Sequence, residues 1–294
     1  MIYVQNTPNN AGVYIYGDCK DFDALYESLH TITYYMDEHP LYAAADNRVM
    51  AVCYDLRHAL MGDREIEFVS NGFEDDETMD DETADDETQG EMLHGTTNVF
   101  HIFQNKKINN NDDDGNGINN NNNTLPKIAG GKNVYLRIAV LWPEMLFVMI
   151  ALNDFVKLYA QKIAKRNFDI LFNKQNIWDE SIAYTRVFQA EVVKCLKTLF
   201  AKPIFSRITN LIIRDYITVD KYITQYVDIL NVDFLEINKE KRIASIPGIA
   251  KKLVIHNNEY KTLEAGILKS AKEFKCPTYD LNINGLEYPD EIEW

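Results

Sequence analysis

Residues 133–152 read NVYLRIAVLWPEMLFVMIAL, and the fold turns on this stretch. The first nine residues have the β-branched and aromatic content of a strand. Pro143 then stands where proline starts helices, its ring pre-setting φ and its missing N–H costing nothing in a first turn. The predicted helix runs to about Arg166 and turns Leu146, Phe147, Ile150, Phe155 and Leu158 inward. Its apolar run, Met145 to Leu152, is far shorter than the roughly 20 residues a membrane span needs. Asn153, Asp154 and Lys157 end it, so the reading excludes a membrane protein.

Upstream, GVYIYG (Gly12 to Gly17) reads as a short strand, and Asp18 or Asp21 is placed to cap the helix that follows. Phe22, Leu25, Tyr26, Leu29 and Ile32 give that helix one apolar face. Pro40 breaks the chain before a second helix, about Leu41 to Met61, with Val49, Val52, Cys53, Leu56 and Leu60 inside and Gly62 as its C-terminal cap. EIEFV (Glu65 to Val69) alternates as a half-buried strand does. Downstream, Asn173 to Ala201 is predicted as one long helix ended by Pro203. Ile204 to Asp215 and Tyr222 to Leu235 continue the helical pattern, although Ile212, Ile213, Ile217 and Val219 leave a strand open. Tyr260 to Lys275 reads as helix, and Tyr279 to Trp294 as a strand pair or an extended arm. The fold class is therefore α+β: a small, mainly antiparallel sheet followed by a largely helical second half.

Charge divides the chain more sharply than hydropathy does. Net charge is −15. Between Phe73 and Pro126, 14 acidic residues face Lys106 and Lys107, a balance of −12 that leaves −3 for the rest. Residues 75–89 are three pentads, DDETM, DDETA and DDETQ, and residues 109–123 read NNNDDDGNGINNNNN. Such segments bury too little apolar surface to offset ordering entropy, which predicts a mostly disordered insert. Between them NVFHIFQ (Asn98 to Gln104) reads as a strand. The domain reading is an α/β unit of residues 1–72 and 133–171, an insert of 73–132, and a mainly helical region of 172–294 with an extended tail. The near-neutral body argues against a DNA mimic and against non-specific nucleic-acid binding.

Cys19, Cys53, Cys195 and Cys276 form no C-x-x-C pair, so neither a zinc knuckle nor a redox pair is signalled. Cys53 and Cys195 sit in apolar helical contexts and read as small buried hydrophobes. MIYVQNTPNN has neither a basic nor an apolar leader region, and a cytoplasmic setting is expected.

Four segments, MIYVQNTPNN, YGDCKDFDALYESLH, CYDLRHALMGDREIEF and NVYLRIAVLWPEMLFVMIALNDF, resemble an uncharacterised protein family of Gram-positive bacteria and their prophages and mobile elements. The resemblance covers residues 1–70 and 133–160 and extends more loosely into the C-terminal half. It implies that residues 73–132 are an insertion between the EIEF and NVYL strands. It implies a bacterial or phage protein of the cytoplasm (the host's, if phage-encoded). It brings no activity, so no catalytic residue is carried over.

The densest charged constellation is Asp55, Arg57 and His58, then Asp63, Arg64 and Glu65. Asp55 and His58 are three apart on a helix and share a face, which is how a carboxylate orients a general base. The alternative is an ion-pair network at the helix end, with Arg64 pairing Asp63 or Glu65. His30, His39, His58, His94, His101 and His256 show no metal-ligand spacing, and no Gly-rich phosphate cradle occurs, so no metal and no cofactor is predicted. SIPGIAKKL (Ser245 to Leu253) partly resembles the hairpin of helix-hairpin-helix modules, with Ala250 where a second glycine is usual. The plainer alternative is a proline-initiated helix with Lys251 and Lys252 in water. Tyr34, Tyr35, Tyr42, Tyr184, Tyr216, Tyr222 and Tyr226 divide between core and interface. Tyr279, Tyr288 and Trp294 are candidate partner anchors on the tail. The functional expectation is a non-enzymatic protein acting by stoichiometric association with a larger protein and with itself. The alternatives are a phage or prophage antagonist of a host defence complex, and an enzyme working through Asp55 and His58.

Overall fold

Pro143 occupies the first turn of a helix in the computed structural model, directly after the strand that precedes it, as its position predicts. The structure describes residues 1–33, 39–70, 132–164, 174–213 and 219–294. Four strands, β1 (Tyr3–Asn6), β2 (Gly12–Gly17), β3 (Glu65–Ser70) and β4 (Lys132–Leu141), form one sheet in the order β1-β2-β4-β3. Every neighbouring pair is antiparallel. Strand β1 was not expected from the sequence. It is four residues long, and its hairpin to β2 is set by Thr7, whose hydroxyl accepts from the Gly12 amide at 3.0 Å. At Gly12 a Cβ would sit 2.0 Å from the Val140 carbonyl oxygen, so only glycine permits the close pairing of β2 with β4 there. The register pairs Ser70 with Lys132, so β3 ends and β4 begins at facing positions. The strand expected at Asn98 to Gln104 lies outside the described residues, as do Tyr34, Tyr35 and Tyr216.

Helix α1 (Cys19–Thr33) opens with a reciprocal cap: the Asp21 amide donates to Asp18 at 2.8 Å and the Asp18 amide to Asp21 at 3.1 Å. Helix α2 (Ala43–Leu60) follows a 3-10 turn at Pro40–Tyr42 and ends at Gly62, whose φ of +85° only glycine adopts freely. Helix α3 (Trp142–Ala164) is the axis of the molecule. Every residue from Met145 to Leu152 is buried. A helix that is apolar on all sides belongs inside a core, and α3 packs against both central strands and most of the other helices. No helix among the described residues is long and apolar enough to cross a membrane.

The second half departs from expectation at three places. Residues 173–201 are not one helix: α4 (Lys174–Ile177) stops at Trp178, and α5 (Glu180–Leu199) restarts at Asp179, which accepts the Ile182 amide at 2.9 Å. An aspartate placed to cap competes with helix continuation, and here the cap wins. Pro203 does not end a helix; it lies in the first turn of α6 (Lys202–Ile213), which follows α5 after an extended residue, Phe200. The helical reading of residues 222–235 holds as α7 (Gln225–Glu236), preceded by a 3-10 turn at Val219–Lys221.

Ser245 to Leu253 is neither a hairpin nor a proline-initiated helix. It is the interior of α8 (Lys239–Val254), capped by Asn238, with Pro247 inside it. A mid-helix proline forfeits a hydrogen bond. The helix continues because Ile246, Ile249, Ala250 and Leu253 are buried around it. Helix α9 (Asn258–Phe274) is capped by Asn257 and buries Tyr260 and Ile267. Tyr260 sits in an aromatic cluster, with ring centroids 5.1 Å from Tyr222, 5.4 Å from Tyr226 and 3.9 Å from His256. Tyr222 and Tyr226 are therefore core.

The tail forms no strand among its described residues and lies on its own chain. Gln225 donates to the Thr278 and Leu281 carbonyls, each at 2.7 Å, and the Trp294 carbonyl accepts from Asn9 at 3.2 Å. One apolar cluster runs from Val4 and Ile15 through α3 to Phe188, Phe234 and Tyr260.

Candidate functional site

The strands alternate, and alternation puts different chemistry on the two faces of the sheet. Val4, Val13, Ile15, Leu136, Ile138 and Val140 face the helices and are buried. The opposite parity carries Tyr3, Tyr14, Tyr16, Tyr135 and Arg137, with Glu65 and Glu67. Register lines up Tyr3, Tyr16, Arg137 and Glu65 as one row across all four strands. Tyr3 stacks on Tyr16 with centroids 4.6 Å apart and planes 7° from parallel, and it meets Tyr135 edge-on at 5.7 Å. The Arg137 guanidinium lies 4.2 Å from the centre of the Tyr14 ring and is hydrogen-bonded to Glu65. Burial alone would lower the Arg137 pKa, but Tyr16 and Glu65 hold it above the usual value, so the cation is fixed. Burial raises the Tyr14 and Tyr3 hydroxyls above their usual range, keeping both neutral.

Asp55 and His58 stand at the rim of this face. They share a side of α2 but do not pair with each other. Asp55 binds Arg64 at 2.7 Å, and His58 Nδ1 meets Asp63 at 3.0 Å. The Tyr54 ring packs against His58 at 4.2 Å. Asp55, Asp63, Arg64, Glu65, Arg137, Tyr14 and Trp294 line a cavity of about 450 Å³. The constellation that looked catalytic is thus an Asp55–Arg64 ion pair and a His58–Asp63 hydrogen bond beside a mixed polar cleft. No serine, threonine or cysteine is hydrogen-bonded to His58 among the described residues. Burial pushes the Cys53 thiol up to about 12 and the Cys195 thiol up to about 11, leaving both unreactive. Among the described residues no three His, Cys, Asp or Glu side chains gather as a metal-holding group.

The other tail residues are spread apart. The Tyr288 hydroxyl donates to Asp228 at 3.1 Å and accepts from Asn231 at 3.1 Å, while Tyr279 is 40% exposed. Tyr288 thereby closes a polar network in which Arg48 binds Glu144 at 3.0 Å, Asp228 at 2.5 Å and the Thr224 carbonyl at 2.9 Å. Burial raises the Glu144 carboxyl above its usual value, against the pull of Arg48 and Asn231.

Tyr3, Tyr14, Tyr16, Tyr135 and Arg137 did not stand out in the sequence as candidates. The signal was available: in GVYIYG and NVYLRIAVL one parity is aliphatic and the other carries every tyrosine and the arginine.

No curated protein and no solved structure matches the chain. Residues 2–94 and 97–294 match the family described as Domain of unknown function (DUF6904), and the chain belongs to that family.

Proposed function

We propose that the protein acts by stoichiometric association with a larger protein, which docks on the outer face of the sheet. The observation that carries this is the cross-strand row Tyr3–Tyr16–Arg137–Glu65 on the face opposite the helices, where Tyr3, Tyr14, Tyr135 and Arg137 are half-buried, Glu65 is exposed, and Tyr16 is buried against the stacked Tyr3 ring. Tyrosine and arginine are the residue types enriched at interface centres. Stacking already holds these side chains in place, so docking forfeits little rotamer entropy. Catalysis through Asp55 and His58 is disfavoured because each is held by a different partner. Self-association belongs to the same proposal, and the exposure of Trp178, Phe274 and Ile213, at 82%, 69% and 68%, supports it. The resemblance of the N-terminal segments to a Gram-positive and mobile-element family supports a bacterial cytoplasm, including that of a phage host, as the setting.

The test is a photo-crosslinking amino acid placed at Tyr135, with Val187 on α5 as the control. One partner protein should crosslink through position 135 and not through 187. A folded variant that yields no protein adduct at 135 would overturn the proposal.

A further inference from the structure

We infer that the edge of β3 away from β4 docks an extended segment of the partner protein, one with basic side chains at alternate positions and apolar ones between. This deepens the protein-binding reading and rests on it. The two edges of the sheet differ. Helix α5 packs against β1, whereas the substantial neighbour of β3 among the described elements is β4 alone. On its other edge β3 pairs with no strand among the described residues, so its outward backbone donors and acceptors suit a further strand, and it has no proline or lysine to turn one away.

Its side chains say what kind of strand fits. Glu65 and Glu67 point to the outer face, and Asp63 precedes them at the same spacing. One guanidinium serves both glutamates: Arg137 is hydrogen-bonded to Glu65 and lies 3.7 Å from Glu67. The Glu67 Oε2 atom facing Arg137 is buried without a hydrogen bond, while 45% of the Glu67 side chain stays exposed. The opposite parity carries Ile66 and Phe68. Phe68 pairs across the ladder with Val134, and the two are 64% and 38% exposed. The edge is thus acidic on one side and apolar on the other. A second copy of β3 would bring glutamates against glutamates, which cross-strand pairing disfavours. A segment alternating basic and apolar residues places cations beside Glu65 and Glu67 and apolar groups beside Ile66 and Phe68. Backbone bonds then supply affinity, and the alternate side chains supply specificity.

The test uses the full chain and a fluorescent hexapeptide of alternating lysine and valine at low salt. Its controls are the same residues in two blocks and an alternating glutamate–valine peptide. The alternating basic peptide should bind about tenfold tighter than the block peptide, since only alternation meets both faces. It should slow amide hydrogen exchange across residues 65–68. Glu67→Lys should abolish the preference for the basic peptide, with the thermal midpoint unchanged. Equal binding of the block peptide, or binding without added protection of residues 65–68, would overturn the inference. So would protection that grows with protein concentration alone, which assigns the edge to a second copy. A crosslink at Tyr135 without peptide preference rejects the edge and leaves the face standing; peptide binding without that crosslink rejects the face.

Discussion

One sheet presents two faces built from the same strands, and they differ in what holds their side chains. Across β1, β2 and most of β4 the inner face is aliphatic and closed, opening only at Phe68 and Val134: Val13 and Ile15 have no exposed surface, and Leu136, Ile138 and Val140 are buried against the helices. The outer face is aromatic and charged, and its order comes from side chains stacking on one another. An inner position that loses atoms leaves a cavity; a half-exposed outer position such as Tyr135 that loses atoms leaves water. The first contributes stability, and the second is free to contribute recognition.

Two arginines repeat the contrast. Arg48, with 18% of its side chain exposed, is enclosed with Glu144 and Asp228. Arg64 meets Asp55 with about a third of each side chain in water. Breaking an enclosed pair strands a charge, so Arg48→Met should cost about 3–5 kcal/mol in denaturant unfolding. Exposed pairs contribute at most about 1 kcal/mol, and Arg64→Met should fall within that range.

The two faces themselves separate next. Ile138→Ala on the inner face should cost about 2–5 kcal/mol through lost burial and a cavity. Tyr135→Ala on the outer face should cost about 1 kcal/mol or less, while partner capture is lost. Equal losses of stability would show that the outer face is covered as the inner one is.

Glu144 gives the comparison a pH axis. Its pKa is raised in the folded protein by burial, so the folded state holds its proton at pH values where the unfolded chain has released it. The contribution of Glu144 is therefore fully present below its ordinary value and is lost as pH rises through its raised folded value. The stability of the native protein relative to Glu144→Gln should fall as pH rises above about 4.5. Urea unfolding of both proteins across the acid range measures this difference, and a gap that widens in favour of the native protein with rising pH contradicts the assignment.

Much of this was legible in the sequence. Pro143 marked the strand-to-helix junction, and periodicity marked α1, α2 and the inner face of α3. What stayed hidden needed partners in space. Strand β1 is too short to show a period, and Pro247 resembles an initiator until the burial of Ile246 and Ile249 is known. The outer face needed register, because Tyr3, Tyr16 and Arg137 come from three strands and become one row only when paired.

The smallest effect is expected at the hairpin end. Ser70 and Lys132 face each other, so a four-residue turn in place of residues 71–131 satisfies the same register. Thermal unfolding should stay cooperative with nearly the native midpoint. Loss of the transition would show that residues 71–131 are part of the core.

The central claim is that the outer face is occupied by a protein partner, and tyrosine footprinting addresses it most directly. Oxidative labelling read by mass spectrometry would compare the purified protein with the same protein in the cells that make it. Tyr3, Tyr14 and Tyr135 should label in the purified protein and be protected in cells, while Tyr54 on α2, 59% exposed, labels equally in both. Equal labelling of all four tyrosines in both settings would contradict the account.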